Sequence, residues 1–145
     1  MIRLKVDNDA LAEEFFEGTR LLGIVGPLAD YQFCWQLNQG MQINFRANHD
    51  IEITLKRKGR NYFFTIYEYR EPASKLVHYL YNNQYDGEYL LPEFKHLDFL
   101  WLLTGDQVND DLIDAMIQSV KMIPGVQLVM ELPTDKIRNK GHLIF

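Results

Sequence analysis

Hydrophobic and polar residues alternate along several short stretches of this chain, a spacing typical of half-buried β-strands. The clearest is IEITLKRKG, where Ile51, Ile53 and Leu55 alternate with polar residues. Similar or continuously apolar runs predict further strands in MIRLKV, TRLLGIVGPL, YFFTIYEYR, KLVHYLYNN, FLWLLTG and VQLVMEL. Because the turn segments KGRN and EPAS divide the middle of the chain, we expect an antiparallel meander of at least three strands there.

Two longer segments carry apolar residues at the spacing of an α-helix. NDDLIDAMIQSVKMIPG begins with Asn109, a favourable N-cap, and ends at Pro124. ADYQFCWQLNQG begins near Asp30 and is expected to end before Gly40. Its apolar face comprises Phe33, Cys34, Leu37 and Met41. A shorter helix is predicted within DNDALAEEFFEG.

The order of these elements predicts one α+β domain spanning residues 1–145. Two strand–helix–strand units flank the meander, so we expect a mostly antiparallel sheet with the two main helices on one face. A ferredoxin-like core with extra strands is the preferred architecture, and a roadblock- or profilin-like arrangement is the alternative. A chain of 145 residues, 47% of them hydrophobic, is long enough for one such core.

The formal net charge of −5 disfavours a general electrostatic attraction to nucleic acid. KRKGRNYFF combines basic and aromatic residues, but its spacing differs from that of an RNA-recognition motif. Cys34 is the one cysteine, which excludes an internal disulfide and fits a reducing, cytoplasmic setting. The N-terminus lacks the apolar core of a signal peptide, and no run approaches the roughly 18–20 apolar residues of a membrane helix. We therefore predict a cytoplasmic domain without nucleic-acid or membrane partners.

The segment LLPEFKHLDF contains the main candidate for chemistry. Glu93, His96 and Asp98 lie within six residues of one another, and a cluster of carboxylates and imidazole can bind a metal or move protons. The favoured interpretation is structural. Pro92 starts a helical turn, Glu93 suits the positive end of that turn, and Asp98 caps the entry to the next strand.

Other signatures of chemistry are missing from the sequence. The chain has no glycine-rich phosphate loop, no nucleophile-elbow motif, no zinc-protease motif and no paired C-x-x-C. Cys34 lies on an apolar helix face without the histidine context of a nucleophile, and is interpreted as a small buried hydrophobe. We therefore predict no metal and no cofactor, assign no catalytic residue, and regard an enzyme as the less favoured class.

LLPEFKHLDF also resembles the signature of the IPExxxVDY family, small proteins found chiefly in Bacteroidetes to which no activity is assigned. Proline, glutamate and aspartate match as written, while apolar residues replace the other three positions. The loss of the final tyrosine hydroxyl indicates that this hydroxyl has no essential chemistry here. LLGIVG, DYQFCWQLN, IPGV and LIF extend the resemblance from about residue 20 onward, and residues 1–18 form a less typical N-terminal extension. The motif residues are Leu91, Pro92, Glu93, Leu97, Asp98 and Phe99.

Tyrosine is frequent on the predicted meander, and strand alternation places apolar side chains on both of its faces. One face meets the helices. The other either forms an exposed aromatic surface or is covered by loops and by the apolar C-terminal residues LIF. The candidate contact residues are Tyr67, Tyr69, Tyr79 and Tyr81.

This surface predicts a non-catalytic domain that acts by protein contact, as a homodimer or with a protein partner, through a tyrosine-rich sheet. The alternative is a small-molecule-binding regulatory domain with a pocket near Trp35, Trp101 and the corner at residues 90–99. An enzyme that uses Glu93, His96 and Asp98 is the third and least favoured function.

Overall fold

The structure is a computed structural model and describes residues 13–105 and 108–145. The predicted strand MIRLKV and the start of the first predicted helix lie outside the described residues, and residues 13–16 are helical. The two main helices are α1 (Asp30–Met41) and α2 (Asp110–Lys121). The strands are β1 (Arg20–Val25), β2 (Arg46–Ala47), β3 (Ile53–Arg57), β4 (Arg60–Phe64), β5 (Ile66–Arg70), β6 (Val77–Asn82), β7 (Gln84–Tyr85), β8 (Glu88–Tyr89), β9 (Phe99–Thr104) and β10 (Leu128–Leu132).

Six strands form the main sheet in the order β10-β1-β9-β6-β5-β2, and every neighbouring pair is antiparallel. The units β1–α1–β6 and β9–α2–β10 give the inner order β10-β1-β9-β6. This is the split β-α-β arrangement of a ferredoxin-like core, with β5 and β2 added at one edge. The predicted α+β class with a mostly antiparallel sheet is confirmed.

Both main helices pack on the same face of the sheet. α1 continues through Gly40 to Met41, and ends where Gln42 adopts a left-handed backbone with φ of 54°, so the predicted end is two residues early. The predicted cap of α2 is confirmed, because the Asn109 side chain accepts a hydrogen bond from the Leu112 N–H at 2.9 Å. The core between helices and sheet includes Leu22, Ile24, Phe33, Leu37, Trp101, Ile113, Met116 and Val120.

A hairpin covers part of the other face. The predicted continuous strand YFFTIYEYR is wrong, because it is interrupted at Thr65. β4 pairs with β3 in a separate two-stranded sheet, whereas β5 joins the main sheet. Phe64 and Ile66, on either side of the break, both enter the same core. The predicted meander is therefore two antiparallel pairs, one folded over the face of the other.

The C-terminal segment covers another part of that face, which agrees with the expectation that loops and the residues LIF would cover it. Leu143 is fully buried, and its carbonyl accepts a hydrogen bond from the Tyr81 hydroxyl at 2.8 Å. The ring of Phe145 packs against that of Tyr79, with centroids 4.8 Å apart. Within the described ranges, no helix is long and apolar enough to cross a membrane.

Candidate functional site

The predicted corner at LLPEFKHLDF is a short 3-10 turn, Pro92–Phe94, that leads into β9. Proline occupies the start of the turn, as expected. Glu93 uses both carboxylate oxygens on one residue of the C-terminal segment: Oε2 accepts the Asn139 backbone N–H at 2.9 Å, and Oε1 accepts its side-chain N–H at 2.8 Å. Burial would raise the pKa of Glu93, but these hydrogen bonds outweigh it and lower that pKa. Glu93 therefore anchors the C-terminal segment.

Asp98 joins the corner to β1. Its Oδ2 accepts the Gly26 N–H at 2.8 Å, while its own N–H donates to the Ile24 carbonyl at 2.8 Å. The carboxylate accepts a backbone N–H, as predicted, but that N–H follows the end of β1 and does not belong to the entry of β9.

Asn83 holds the corner together and was missed by the sequence reasoning. It is fully buried; its side-chain N–H groups donate to the carbonyls of Phe94 and Leu97 at 3.0 and 2.9 Å, and its Oδ1 accepts the Leu91 N–H at 2.9 Å. A buried amide can satisfy three backbone groups in this way because it both donates and accepts. The sequence indicates this role only weakly, because an asparagine directly after a strand is typical of an ordinary turn.

The structure does not bring Glu93, His96 and Asp98 together as one reactive cluster. Glu93 is directed to the C-terminal segment and Asp98 to the end of β1, and His96 is exposed. In residues 13–105 and 108–145, no group of three or more His, Cys, Asp or Glu residues is placed to hold a metal ion. Both carboxylates are engaged by backbone N–H groups, which is a structural use of these oxygens.

The four candidate tyrosines do not form one exposed surface. Tyr79 and Tyr81 are buried under the β3–β4 hairpin and the C-terminal segment. Tyr67 and Tyr69 lie on the opposite face, where they are half-buried against the helix-side core. The reason is the register: Tyr67 pairs with Leu80 and Tyr69 with His78, so the two strands present their tyrosines to opposite faces.

A second buried polar group, His78, was also missed as a site. The Trp101 indole N–H donates to its Nδ1 at 3.1 Å, and its Nε2 lies 3.4 Å from a carboxylate oxygen of Glu71. The ring packs against those of Tyr69 and Phe45. Burial lowers the pKa of His78, and the Glu71 carboxylate opposes that effect. The group is a packed core histidine with one acidic neighbour.

Cys34 is buried in the helix-side core, as the sequence predicts. Burial, with a smaller contribution from the Asp30 carboxylate, raises the pKa of its thiol to about 12. A thiol with that pKa is almost wholly protonated near pH 7, which is the opposite of what a cysteine nucleophile needs.

The outer face of α1 carries the two most exposed aromatic side chains among the described residues. Tyr31 is 68% exposed and Trp35 is 60% exposed, one helical turn apart. With Leu28, Gln32 and Gln36 they line a shallow groove of about 450 Å³. We call this surface, Leu28, Tyr31, Gln32, Trp35 and Gln36, the α1 face.

The α1 face is uncharged. Between Gly26 and Arg46 the chain carries one charged residue, Asp30. Its Oδ2 accepts the Tyr67 hydroxyl at 2.9 Å, and its Oδ1 accepts the Tyr31 N–H at 2.8 Å. The one carboxylate of this helix is therefore hydrogen-bonded beside the α1 face.

The pocket expected between Trp35, Trp101 and the corner at residues 90–99 is not formed. Trp101 is fully buried in the helix-side core, and Leu90, Leu91 and Leu97 belong to the core on the opposite face of the sheet. Trp35 lines an open groove, but on the outside of α1.

Comparison with known proteins adds no relative: no family model and no curated protein matches this chain.

Proposed function

We propose that this chain is a non-catalytic cytoplasmic domain that acts by protein contact, as a homodimer joined through the α1 face. The observation that carries the proposal is Trp35, which is 60% exposed beside Tyr31, 68% exposed, and the half-buried Leu28. Exposed tryptophan and tyrosine next to aliphatic area are the side chains that form the energetic centre of protein interfaces.

The positions of the residues that were candidates for chemistry support a function in protein contact over catalysis. Glu93 and Asp98 accept backbone hydrogen bonds, and Cys34 is buried with a raised pKa. Each of these groups has a structural use that accounts for its position. The exposed α1 face is uncharged and carries two aromatic side chains, which suits association.

The contact surface differs from the tyrosine-rich sheet that the sequence predicts, while the form of association is the same. A two-fold homodimer is the commonest assembly of soluble proteins, and it needs only one patch that complements itself. A cytoplasmic setting agrees with the single buried thiol, Cys34. Membership of the IPExxxVDY family stays a prediction that rests on the motif at residues 91–99.

The mass in solution tests this function. We expect light scattering during size-exclusion chromatography to show a dimer at tens of micromolar. Trp35→Ser is expected to raise the dimer dissociation constant roughly 30-fold, because truncation of a central aromatic anchor costs about 2 kcal/mol or more. Phe63→Ser is the matched control, since Phe63 is also an exposed aromatic residue, 46% open, but lies on the β3–β4 hairpin.

Tryptophan fluorescence supplies a second measurement. Trp101 is fully buried and Trp35 is exposed, so a blue shift of the emission with rising protein concentration reports burial of Trp35. A wild-type protein that stays monomeric at tens of micromolar overturns the proposal, as does an equal loss of dimer in Trp35→Ser and Phe63→Ser.

A second candidate function is the binding of a small ligand at the same place. The observation in its favour is the groove of about 450 Å³, which falls within the usual size range of ligand sites and combines an indole with two amide side chains. The mass measurement separates the two functions, because a ligand site alone gives a monomer.

A further inference from the structure

Four residues of the α1 face form one stripe along the helix, and Leu28 lies just before the start of that stripe. Leu28, Tyr31, Gln32, Trp35 and Gln36 recur at three- and four-residue steps, and the exposed Gln39 continues the series. Trp35 and Gln36 stand at the middle of the twelve residues of α1. A contact centred on these two residues therefore uses the whole helix.

The distribution of charge indicates what covers this stripe. The chain has a net charge of −5, so association of two copies opposes a general repulsion unless the contact excludes charge. The exposed side of the neighbouring α2 carries Asp111, Asp114 and Lys121, and its burial would desolvate these charges. The α1 face brings no charge of its own into a contact. In an isologous contact it would meet an identical uncharged surface.

We infer that two copies of this chain pack α1 against α1 in antiparallel orientation, across a two-fold axis beside Trp35 and Gln36. The inference rests on the proposed function and specifies its partner and geometry. An antiparallel pair places the positive N-terminal end of each helix dipole beside the negative C-terminal end of the other. It also separates the two Asp30 carboxylates, which a parallel pair would set side by side.

The separation follows from helix geometry. When the helices cross at their midpoints, position 30 of one copy lies level with position 41 of the other. At a rise of about 1.5 Å per residue the two carboxylates are then roughly 16 Å apart along the axis, beyond the Debye length of about 8 Å at physiological salt. In the same geometry Gln32 of one copy faces Gln39 of its partner, and the pair occurs twice.

Two double variants test this orientation. In Gln32→Lys/Gln39→Glu, the antiparallel pair sets opposite charges against each other at both ends; in Gln32→Lys/Gln39→Lys, it sets like charges there. We expect the dissociation constant of the second variant to exceed that of the first by about tenfold or more at low salt, and the difference to shrink at high salt. Both positions are exposed, and both variants lose the same hydrogen bond from the Ala29 N–H to Gln32.

The outcomes separate this inference from the proposed function. A parallel pair sets like charges together in both variants, so equal weakening of the two overturns the antiparallel geometry and leaves the homodimer intact. Dimers that are as stable as wild type in both variants place the contact away from the stripe and also overturn the inference. A monomeric wild-type chain overturns the proposed function itself.

Discussion

At the scale of single residues, buried polar side chains have defined partners, and among the described residues none is left without a hydrogen bond. His78 is the clearest case. Because its Nδ1 accepts the Trp101 indole N–H, the neutral ring carries its proton on Nε2, which faces Glu71. Protonation of Nδ1 would set two N–H groups against each other, so the folded protein holds His78 in its neutral form.

This arrangement predicts a pH dependence of stability. The folded pKa of His78 is lowered, whereas an unfolded histidine titrates near 6.5. As pH falls below about 6.5, the unfolded chain binds a proton that folded His78 does not, so the free energy of unfolding falls by up to about 1.4 kcal/mol per pH unit. Urea unfolding at pH 7.5 and at pH 5 measures the loss.

The control for this prediction is His78→Asn, which keeps an acceptor near the Trp101 indole but does not titrate. We expect the variant to be less stable than wild type at pH 7.5, because ring contacts with Tyr69 and Phe45 are lost, and to have a shallower pH slope. An identical slope in both proteins would assign the pH dependence to other groups.

At the scale of elements, features set by neighbouring residues could be predicted from the sequence, whereas features set by long-range contacts could not. The cap and the apolar spacing of α2 were read correctly, because Asn109 and the helix face act within a few residues. The break at Thr65 was not predicted, because the side chains from Tyr62 to Tyr69 can be assigned to alternate faces of one continuous strand. β4 ends at Phe64 because the β3–β4 hairpin folds over one face of the main sheet. That face is built from strands far apart in the chain.

The corner before β9 gives the prediction at this scale. Asn83→Ala removes the partner of two groups in buried hydrogen bonds, the Leu91 N–H and the Leu97 carbonyl, so we expect a loss of about 3 kcal/mol in the free energy of unfolding. The Phe94 carbonyl keeps its hydrogen bond from the Leu97 N–H at 3.0 Å. Glu93→Gln keeps one acceptor oxygen for Asn139 and loses the other together with the charge, so a loss of about 1–2 kcal/mol is expected. Equilibrium urea unfolding compares the two.

His96→Ala is the control for the corner, since His96 is exposed; its stability should stay within about 0.5 kcal/mol of wild type. A larger loss in Glu93→Gln than in Asn83→Ala would mean that the anchored C-terminal segment, and not the buried amide, holds the corner.

At the scale of the whole molecule, the sheet separates two hydrophobic cores. One lies beneath α1 and α2, and the other beneath the β3–β4 hairpin and the C-terminal segment. The second core is closed by the last residues of the chain, including the fully buried Leu143 and the partly open Phe145. The tyrosines of β6 are internal for this reason.

The prediction at this scale concerns the C-terminal residues that cover the second core. Leu143→Ala is expected to lower the free energy of unfolding by about 2–4 kcal/mol, the usual range for a buried leucine. Phe145→Ala, at a site 39% exposed, should cost less. Urea unfolding gives both values, and hydrogen exchange of β6 should rise more in Leu143→Ala.

The same pair of variants separates the two faces of the molecule. Because the C-terminal segment packs on the face opposite α1, a folded Leu143→Ala protein should dimerise as wild type does. Loss of the dimer in that variant, with the fold retained, would place the contact on the sheet face that carries Tyr79 and Tyr81.

The sequence by itself determined the α+β class, the two main helices with their buried faces and the structural use of Pro92. Each follows from spacing or side-chain chemistry within a few positions of the chain. The tertiary structure decided which segments cover each face of the sheet. It also decided that Asn83 and His78 are buried and hydrogen-bonded, and that Trp35 is exposed. Alternation along a strand assigns residues to two faces but does not say what lies above either one. That depends on contacts between residues far apart in the chain, such as Tyr81 with Leu143.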